Sequence, residues 1–200
     1  PCRFGMYNCL QRQVLTQTGQ ADISVLSPNQ DNNFYKEFAQ SLNKVSTTHL
    51  MKDFWKAAVG IDLLHKALLR TRPYAANPST ADTLYRRLLA EWCRLIEHRR
   101  PFREKVAFME NAAQRLAAIR ADRTQRRPRI GVLGEIYVRS HTFANNDLIR
   151  RLESLGAACE LTGFSEWIYY VNATNIANAR RKGHWGIWLK TQLQDAVQHS

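Results

Sequence analysis

A polar segment from Glu135 to Asn146 holds the residues of this sequence best suited to chemistry on a small molecule. Glu135 could act as an acid or base towards a substrate, or it could simply accept hydrogen bonds from nearby amides or pair with Arg139. Asn145 and Asn146 could orient a phosphate or carboxylate at the start of a helix, or only cap that helix. We therefore take Glu135 as the candidate catalytic residue, and Arg139, Asn145 and Asn146 as candidate substrate-binding residues.

Three further residues, in two segments, are candidates for binding a substrate. Ser27 and Asn29 stand in a polar loop, residues 27–33, directly after a short run of β-branched and apolar residues. Arg72 stands in an Arg-Pro-Tyr sequence that interrupts two predicted helices, where it could also be part of a simple turn.

Cys2 is the candidate metal ligand. It stands beside Arg3 and just before a predicted helix, and both features favour a thiolate. Cys9 is expected to pack in the core, and Cys93 and Cys159 are expected to be structural. The four cysteines form no CxxC pair and no secreted-type framework, so a reducing cytosol is the default compartment.

Strands and capped helices must hold these loops in place. The apolar run from Ile130 to Leu133 predicts a buried strand that ends at Gly134. The next helix is expected to have an apolar side and to be followed by Gly156. The residues of that side are Leu148, Ile149, Leu152 and Leu155. Ligands of open α/β sheets bind outside the carboxyl ends of the strands. The loop from Glu135 to Asn146 lies at such an end, and residues 27–33 lie at another, after a predicted strand from Ile23 to Leu26.

The rest of the sequence is strongly helical. Hydrophobic periodicity predicts helices over residues 6–18 and 34–42, through Leu50 to Arg70, from Asn77 to just before Pro101, and from about Arg103 to Arg123. Cys159–Leu161 could be a strand, and residues 165–171 could be a strand or the start of a buried helix. Helices are expected over residues 173–181 and 185–197. These elements predict a partial α/β unit with a helical segment over 1–128 and a second α/β unit over 129–200.

The charge of the sequence limits the kinds of partner that the protein could bind. The formal net charge is +12, and the stretch from Arg86 to Arg129 alone has thirteen Arg and Lys against five Asp and Glu, a net charge of +8. This charge could belong to a solvated helical face, or to a binding module for nucleic acid or an acidic partner. Because stacking aromatics are not interleaved with these arginines, nucleic acid is the weaker alternative. The sequence has no apolar run of membrane-spanning length and no HExxH, Walker A, GxSxG or GxGxxG motif.

Four segments of the sequence, taken in order, resemble those of a known family. They are PCRFGMYNCLQ, ISVLSP, LLRTRPYAANPSTADTLYRRLL and IGVLGEIYVRSHTFANNDLIRRLESLGA. Together they resemble the 2-hydroxyglutaryl-CoA dehydratase-like family, and within it the large activase-related proteins. The chain begins Pro1-Cys2 without a Met, and we interpret it as a fragment of such a protein.

The resemblance implies Rossmann-like or flavodoxin-like parallel-sheet units with a helical segment between them. It implies a [4Fe-4S] cluster with Cys2 as one ligand and the other ligands outside this sequence. It also implies iron–sulfur-dependent dehydration of, or electron transfer to, an acyl-CoA substrate, with the activator ATPase domains of the same parent chain as partners. A cytoplasmic protein without membrane segments is expected, and the isolated piece is expected to hold no intact cluster.

Overall fold

The structure is a computed structural model that describes residues 4–23, 25, 47–122 and 124–183. The chain divides into two compact units, Pro1–Lys52 and Asp53–Ser200. In the first unit, helix α1 spans Phe4–Gln17, which confirms the helix predicted there. The prediction that Cys9 packs in the core is wrong, because its side chain is exposed on this helix. The strand and helix predicted between residues 23 and 42 lie wholly or partly outside the described residues.

Three helices form the hydrophobic core of the second unit. Their bounds are Thr47–Thr71 for α2, Pro78–Glu97 for α3 and Phe102–Ala117 for α4. Helix α4 ends six residues before the predicted end at Arg123, and the chain then turns at residues 118–120. Apolar residues spaced three and four apart give each helix one apolar side, and these sides meet. The buried cluster at their centre consists of Leu64, Leu88, Trp92, Ala112 and Leu116.

Helices α2 and α3 approach each other closely at Gly60. A Cβ atom at this position would overlap the ring of Trp92 and would lie 2.7 Å from Cε of Met109. The indole Nε1–H of Trp92 donates to the carbonyl oxygen of Ala57 at 3.2 Å, so the buried ring also has its polar atom satisfied. The missing side chain of Gly60 is therefore what lets the largest core residue lie against the backbone of α2.

A short turn separates α2 from α3. Arg72–Tyr74 form a single 3₁₀ turn with Pro73 at its start, and helix α3 begins after Asn77, whose side-chain oxygen accepts from the amide of Ser79 at 3.0 Å. This confirms the predicted stop at Arg72-Pro73 and the restart at Asn77-Pro78-Ser79. Backbone pairing between Ala75 and Ala121 ties the turn to the segment after α4.

The remaining residues form a small parallel sheet with helices between its strands. Strand β1 (Arg129–Val132) pairs with β2 (Ala158–Leu161), with Ile130 opposite Cys159 and Val132 opposite Leu161. The connection contains a short helix, α5 (Ile136–Ser140), and a second helix, α6 (Leu148–Ser154). Gly156 follows α6 with a φ of +92°, as its predicted place after the helix end requires. Leu155 is not on a buried side, since it is 84% exposed.

Helix α7 (Phe164–Arg181) follows β2, so residues 165–171 are helical and not a strand. Its amino-terminal end is fixed by Asp62 of α2, whose Oδ2 accepts from the backbone amide and the hydroxyl of Ser165, each at 2.6 Å. A Cβ atom at Gly163 would lie 2.6 Å from the same carboxylate oxygen. Glycine at 163 thus lets Asp62 take the place of a local capping residue.

The fold is mostly helical with a two-stranded parallel sheet, which is a mixed α/β arrangement. The domain boundary predicted at residue 128 lies inside the second unit and stays a prediction. Within the described ranges, no helix combines the length and apolar character needed to cross a membrane.

Candidate functional site

A cleft of about 550 Å³ opens in the second unit at the carboxyl ends of the two strands. Side chains of α2, the 3₁₀ turn and α3 form its helical wall. The rest of its lining comes from the end of α5, the segment after it, the start of α6, and Leu161 at the carboxyl end of β2. Its volume lies within the range of small-molecule sites. The charged side chains that line it are Arg72, Asp82, Arg86, Arg139, Asp147 and Arg150.

Arg72 is fully engaged by carboxylates. It is 5% exposed, and its Nε and Nη2 donate to the two carboxylate oxygens of Glu153 at 2.7 and 2.9 Å. Its Nη1 donates to Oδ1 of Asp82 at 3.1 Å. Burial by itself would lower the pKa of Arg72, and the hydrogen bonds and negative charge of Glu153 and Asp82 raise it. The predicted substrate-binding residue therefore lines the cleft as a permanently charged residue with its fork already occupied.

Asp82 joins two arginines. Its Oδ1 accepts from Arg72, and its Oδ2 lies 2.7 Å from Nη2 of Arg150 at the start of α6. With Glu153, the two arginines and two carboxylates have no net charge. This network ties α3 to α6 across the cleft.

Arg139 has a different environment. It is 8% exposed, yet no carboxylate of the described residues lies within ion-pair distance of it. Its partners are two backbone carbonyl oxygens, that of Gly134 at 3.2 Å from Nη1 and that of Gly163 at 3.4 Å from Nη2. Its Nε is buried without a hydrogen-bond partner. A buried guanidinium is normally paired with a carboxylate, so among the described residues the positive charge of Arg139 at this cleft has no compensating partner.

Arg139 lies in helix α5, so the segment after Glu135 that was predicted to be a loop is partly helical, and its own side chains hold it in place. Glu135 accepts from the amide of Val138 at 2.8 Å and so caps α5, and it does not line the cleft. Asn145 lines the cleft, donates to the carbonyl oxygens of Val138 and Arg139, and accepts from the amide of Leu148. The catalytic role of Glu135 and the binding role of Asn145 stay predictions beside these structural roles.

Backbone strain lies next to this loop. Asn146 and Asp147 both have left-handed φ values, +53° and +52°, although neither is glycine. Asn and Asp tolerate this conformation better than other residues, but two in succession have a conformational cost. The strained pair directs Asp147 to the cleft and starts α6, whereas Asn146, the other predicted binding residue, is exposed and is not among the lining residues.

His65 and Tyr85 face each other at the helical wall of the cleft, with ring centroids 6.0 Å apart. Burial, followed by the positive charge of Arg72, lowers the pKa of His65 below 6.5, although Asp62 acts in the opposite direction. Burial raises the pKa of Tyr85 above 10. At neutral pH the cleft therefore contains a neutral imidazole, which can accept a proton, and a neutral phenol, which can donate a hydrogen bond.

The predicted metal ligand and one predicted binding loop cannot be placed, because Cys2, Ser27 and Asn29 lie outside the described residues. Of the described cysteines, Cys9 and Cys93 are exposed and Cys159 is buried, where burial raises the pKa of its thiol. In that part of the chain, no three His, Cys, Asp or Glu side chains are grouped to hold a metal ion. These residues alone do not form a cluster site, so we derive no chemical step through one.

Sequence reasoning did not select His65, Asp82, Tyr85, Arg150 or Glu153. Each stands at an ordinary helical position, and no local motif distinguishes it from a surface residue. The one available signal was the position of Arg72 in a turn between two helices, because a buried arginine there needs acidic partners.

No protein-family model, no curated protein and no solved structure matches this chain.

Proposed function

We propose that the cleft binds an anionic substrate and that this substrate is an acyl-CoA thioester, in a protein of the 2-hydroxyacyl-CoA dehydratase type. The observation that carries the proposal is Arg139, a buried guanidinium that lines the cleft without a carboxylate partner among the described residues. A phosphate or carboxylate of the substrate would supply the missing negative charge and accept hydrogen bonds from the guanidinium of Arg139.

The other parts of the cleft suit such a ligand. Hydroxyl groups of Ser79, Ser140 and Thr142 line it and can donate to ligand oxygens. Leu68, Ile149 and Leu161 give it an apolar portion against which an acyl chain could pack. The position at the carboxyl ends of parallel strands is where α/β proteins bind ligands, which supports the Rossmann-like interpretation of the parallel pair.

Binding of coenzyme A and of a 2-hydroxyacyl-CoA, measured by titration calorimetry, tests the proposal. A charge-assisted hydrogen bond contributes about 1.5–3 kcal/mol, so Arg139→Gln should weaken binding at least tenfold. Arg139→Lys should recover only part of the affinity, because an ammonium cannot reproduce the planar fork. Arg87→Gln is the matched control, since Arg87 is exposed and does not line the cleft. Equal affinity for the Arg139→Gln and Arg87→Gln variants would contradict the proposal.

The iron–sulfur part of the proposal is supported by the family resemblance and by the position of Cys2 beside Arg3. Anaerobic reconstitution of the full-length protein tests it through iron content and cluster absorbance. Cys2→Ser should lose both, and Cys93→Ser, which replaces an exposed cysteine of α3, should lose neither. Unchanged iron in the Cys2→Ser protein would remove Cys2 from the ligand set.

The alternative of a basic binding module has less support from the described helices. Four arginines of the basic stretch Arg86–Arg129 lie within ion-pair distance of carboxylates, namely Arg99 with Asp53, Arg100 with Glu104, Arg115 with Glu91 and Arg129 with Glu160. These pairs reduce the positive charge that this stretch can offer a polyanion.

A further inference from the structure

We propose that His65 takes up a proton when the cleft binds a doubly charged anion, and that the protonated imidazole then supplies the second positive charge for this ligand. The proposal rests on the proposed function, because it concerns the same cleft. It defines the ligand group as a dianion, such as a phosphate monoester or a pair of carboxylates. It also makes His65 the residue positioned to exchange a proton with the bound ligand.

The charges that line the cleft lead to this conclusion. Arg72, Arg150, Asp82 and Glu153 neutralise one another through short contacts. The remaining lining charges are the positive charges of Arg139 and Arg86 and the negative charge of Asp147. The described charges at the cleft therefore sum to about +1 while His65 is neutral, and against them a dianion would leave one negative charge uncompensated.

His65 is the group that can supply this missing charge. It is the histidine that lines the cleft, and in the described part of the chain its ring makes no hydrogen bond. Tyr85 packs against the ring of His65, and the charges of Arg72 and of Asp62 on its own helix act on it. The other charged residues that line the same cleft are Asp82 and Arg86 from α3, Arg139 from α5, and Asp147 and Arg150 at the start of α6.

Most of these groups cannot change charge near neutral pH. The arginines stay protonated. Burial raises the pKa of Tyr85 and so keeps its phenol neutral. Burial and Arg72 keep His65 neutral while the cleft is empty. A dianion nearby opposes the effect of Arg72, so it raises the pKa of the imidazole.

Thermodynamic linkage gives the direction of the pH effect. If the anion raises the pKa of His65, protonation of His65 must tighten anion binding by the same factor. Affinity should therefore be highest below the pKa of His65 in the empty cleft and should fall as pH rises through its pKa in the complex. We expect a change of about tenfold across this interval.

The test is a pH titration of the histidine ring signals by NMR, on the whole chain, with and without sulfate at constant ionic strength. Sulfate stays a dianion over the pH range in which histidine titrates. Glutarate is used in a parallel titration as the dicarboxylate ligand. The signal of His65 among the six histidines is the one that His65→Gln removes, with His65→Asn as a second variant. The Nε–H signal of Arg139, identified with Arg139→Lys, reports occupancy of the cleft independently.

The expected result is an upward shift of the His65 midpoint on addition of the dianion, with the other histidines unaffected. Tyr85→Phe should retain the shift, and Arg139→Gln should abolish it. A change at Arg139 without a change at His65 would overturn the inference and leave the proposed function standing. A His65 shift that persists in Arg139→Gln would place the anion elsewhere and overturn it. No change at Arg139 with sulfate, glutarate or coenzyme A would overturn both proposals.

Discussion

Two buried arginines of this protein differ in whether carboxylates neutralise their charge. Arg72 is held by three hydrogen bonds to two carboxylates, whereas Arg139 has only backbone carbonyl partners among the described residues. Transfer of a guanidinium out of water is costly unless other charges offset it. The first arrangement holds the fold together, and the second leaves a charge for a ligand to neutralise.

The structural role of Arg72 gives a prediction for stability. Glu153→Gln leaves a buried guanidinium with a neutral partner, so the free energy of unfolding should fall by about 3 kcal/mol. The matched control is Glu104→Gln, which disrupts an Arg–Glu pair of the same bidentate geometry on the surface of α4. That variant should change stability by less than about 1 kcal/mol. Urea unfolding of both variants measures the difference, and equal losses would contradict the assigned role.

His65 should make stability depend on pH. Its pKa in the folded protein lies below the unfolded value of 6.5, so the unfolded chain binds its proton first as the pH falls. The contribution of neutral His65 is complete above pH 6.5 and is lost as the pH falls from there through the folded pKa. His65→Gln should therefore flatten the decline of unfolding free energy between pH 7 and about pH 5. His98→Gln, which replaces an exposed histidine after α3, should keep the wild-type decline, and identical slopes for both variants would contradict this assignment.

At the scale of elements, the close approach of α2 and α3 depends on Gly60. Gly60→Ala should destabilise the protein by about 1–3 kcal/mol, because the new methyl group meets the rigid ring of Trp92. This loss should exceed the gain in helix propensity that alanine normally gives over glycine. Gly131→Ala in β1 is the control, since a Cβ atom there meets nothing within 4 Å. Thermal unfolding compares the two, and a stabilised Gly60→Ala variant would show that the helices can separate without cost.

The sequence predicted the elements better than their contacts. The predicted helices α1 to α4, the strand that begins the second α/β unit and the glycine after α6 are confirmed, because periodicity, proline and capping residues act over a few positions. The predicted burial of that strand is wrong, since only Val132 of it is buried and Leu133, outside the strand, is 77% exposed. Residues 165–171 could not be assigned, because the group that fixes the start of α7 is Asp62, 103 residues away. The residues next to this segment in the sequence do not indicate a partner so far away in the chain.

The site was predictable in part for the same reason. The loop from Glu135 to Asn146 supplies Arg139 and Asn145 to the cleft, as its place after a strand indicates. The helical wall was not predictable, since Arg72 meets Glu153 only through a contact 81 residues apart. Tertiary packing also decides that His65 lies at the cleft. The pattern of apolar residues along α2 does not tell which of its polar residues line a cleft and which face solvent.

For the whole molecule, the account depends on an anion reaching the guanidinium of Arg139. The most direct measurement is the ¹⁵N-resolved Nε–H signal of Arg139 during titration with coenzyme A. We predict a saturable shift of this signal on binding, because the guanidinium of Arg139 gains an anionic partner. An unchanged signal at saturating coenzyme A, while exposed arginines such as Arg87 respond, would contradict it.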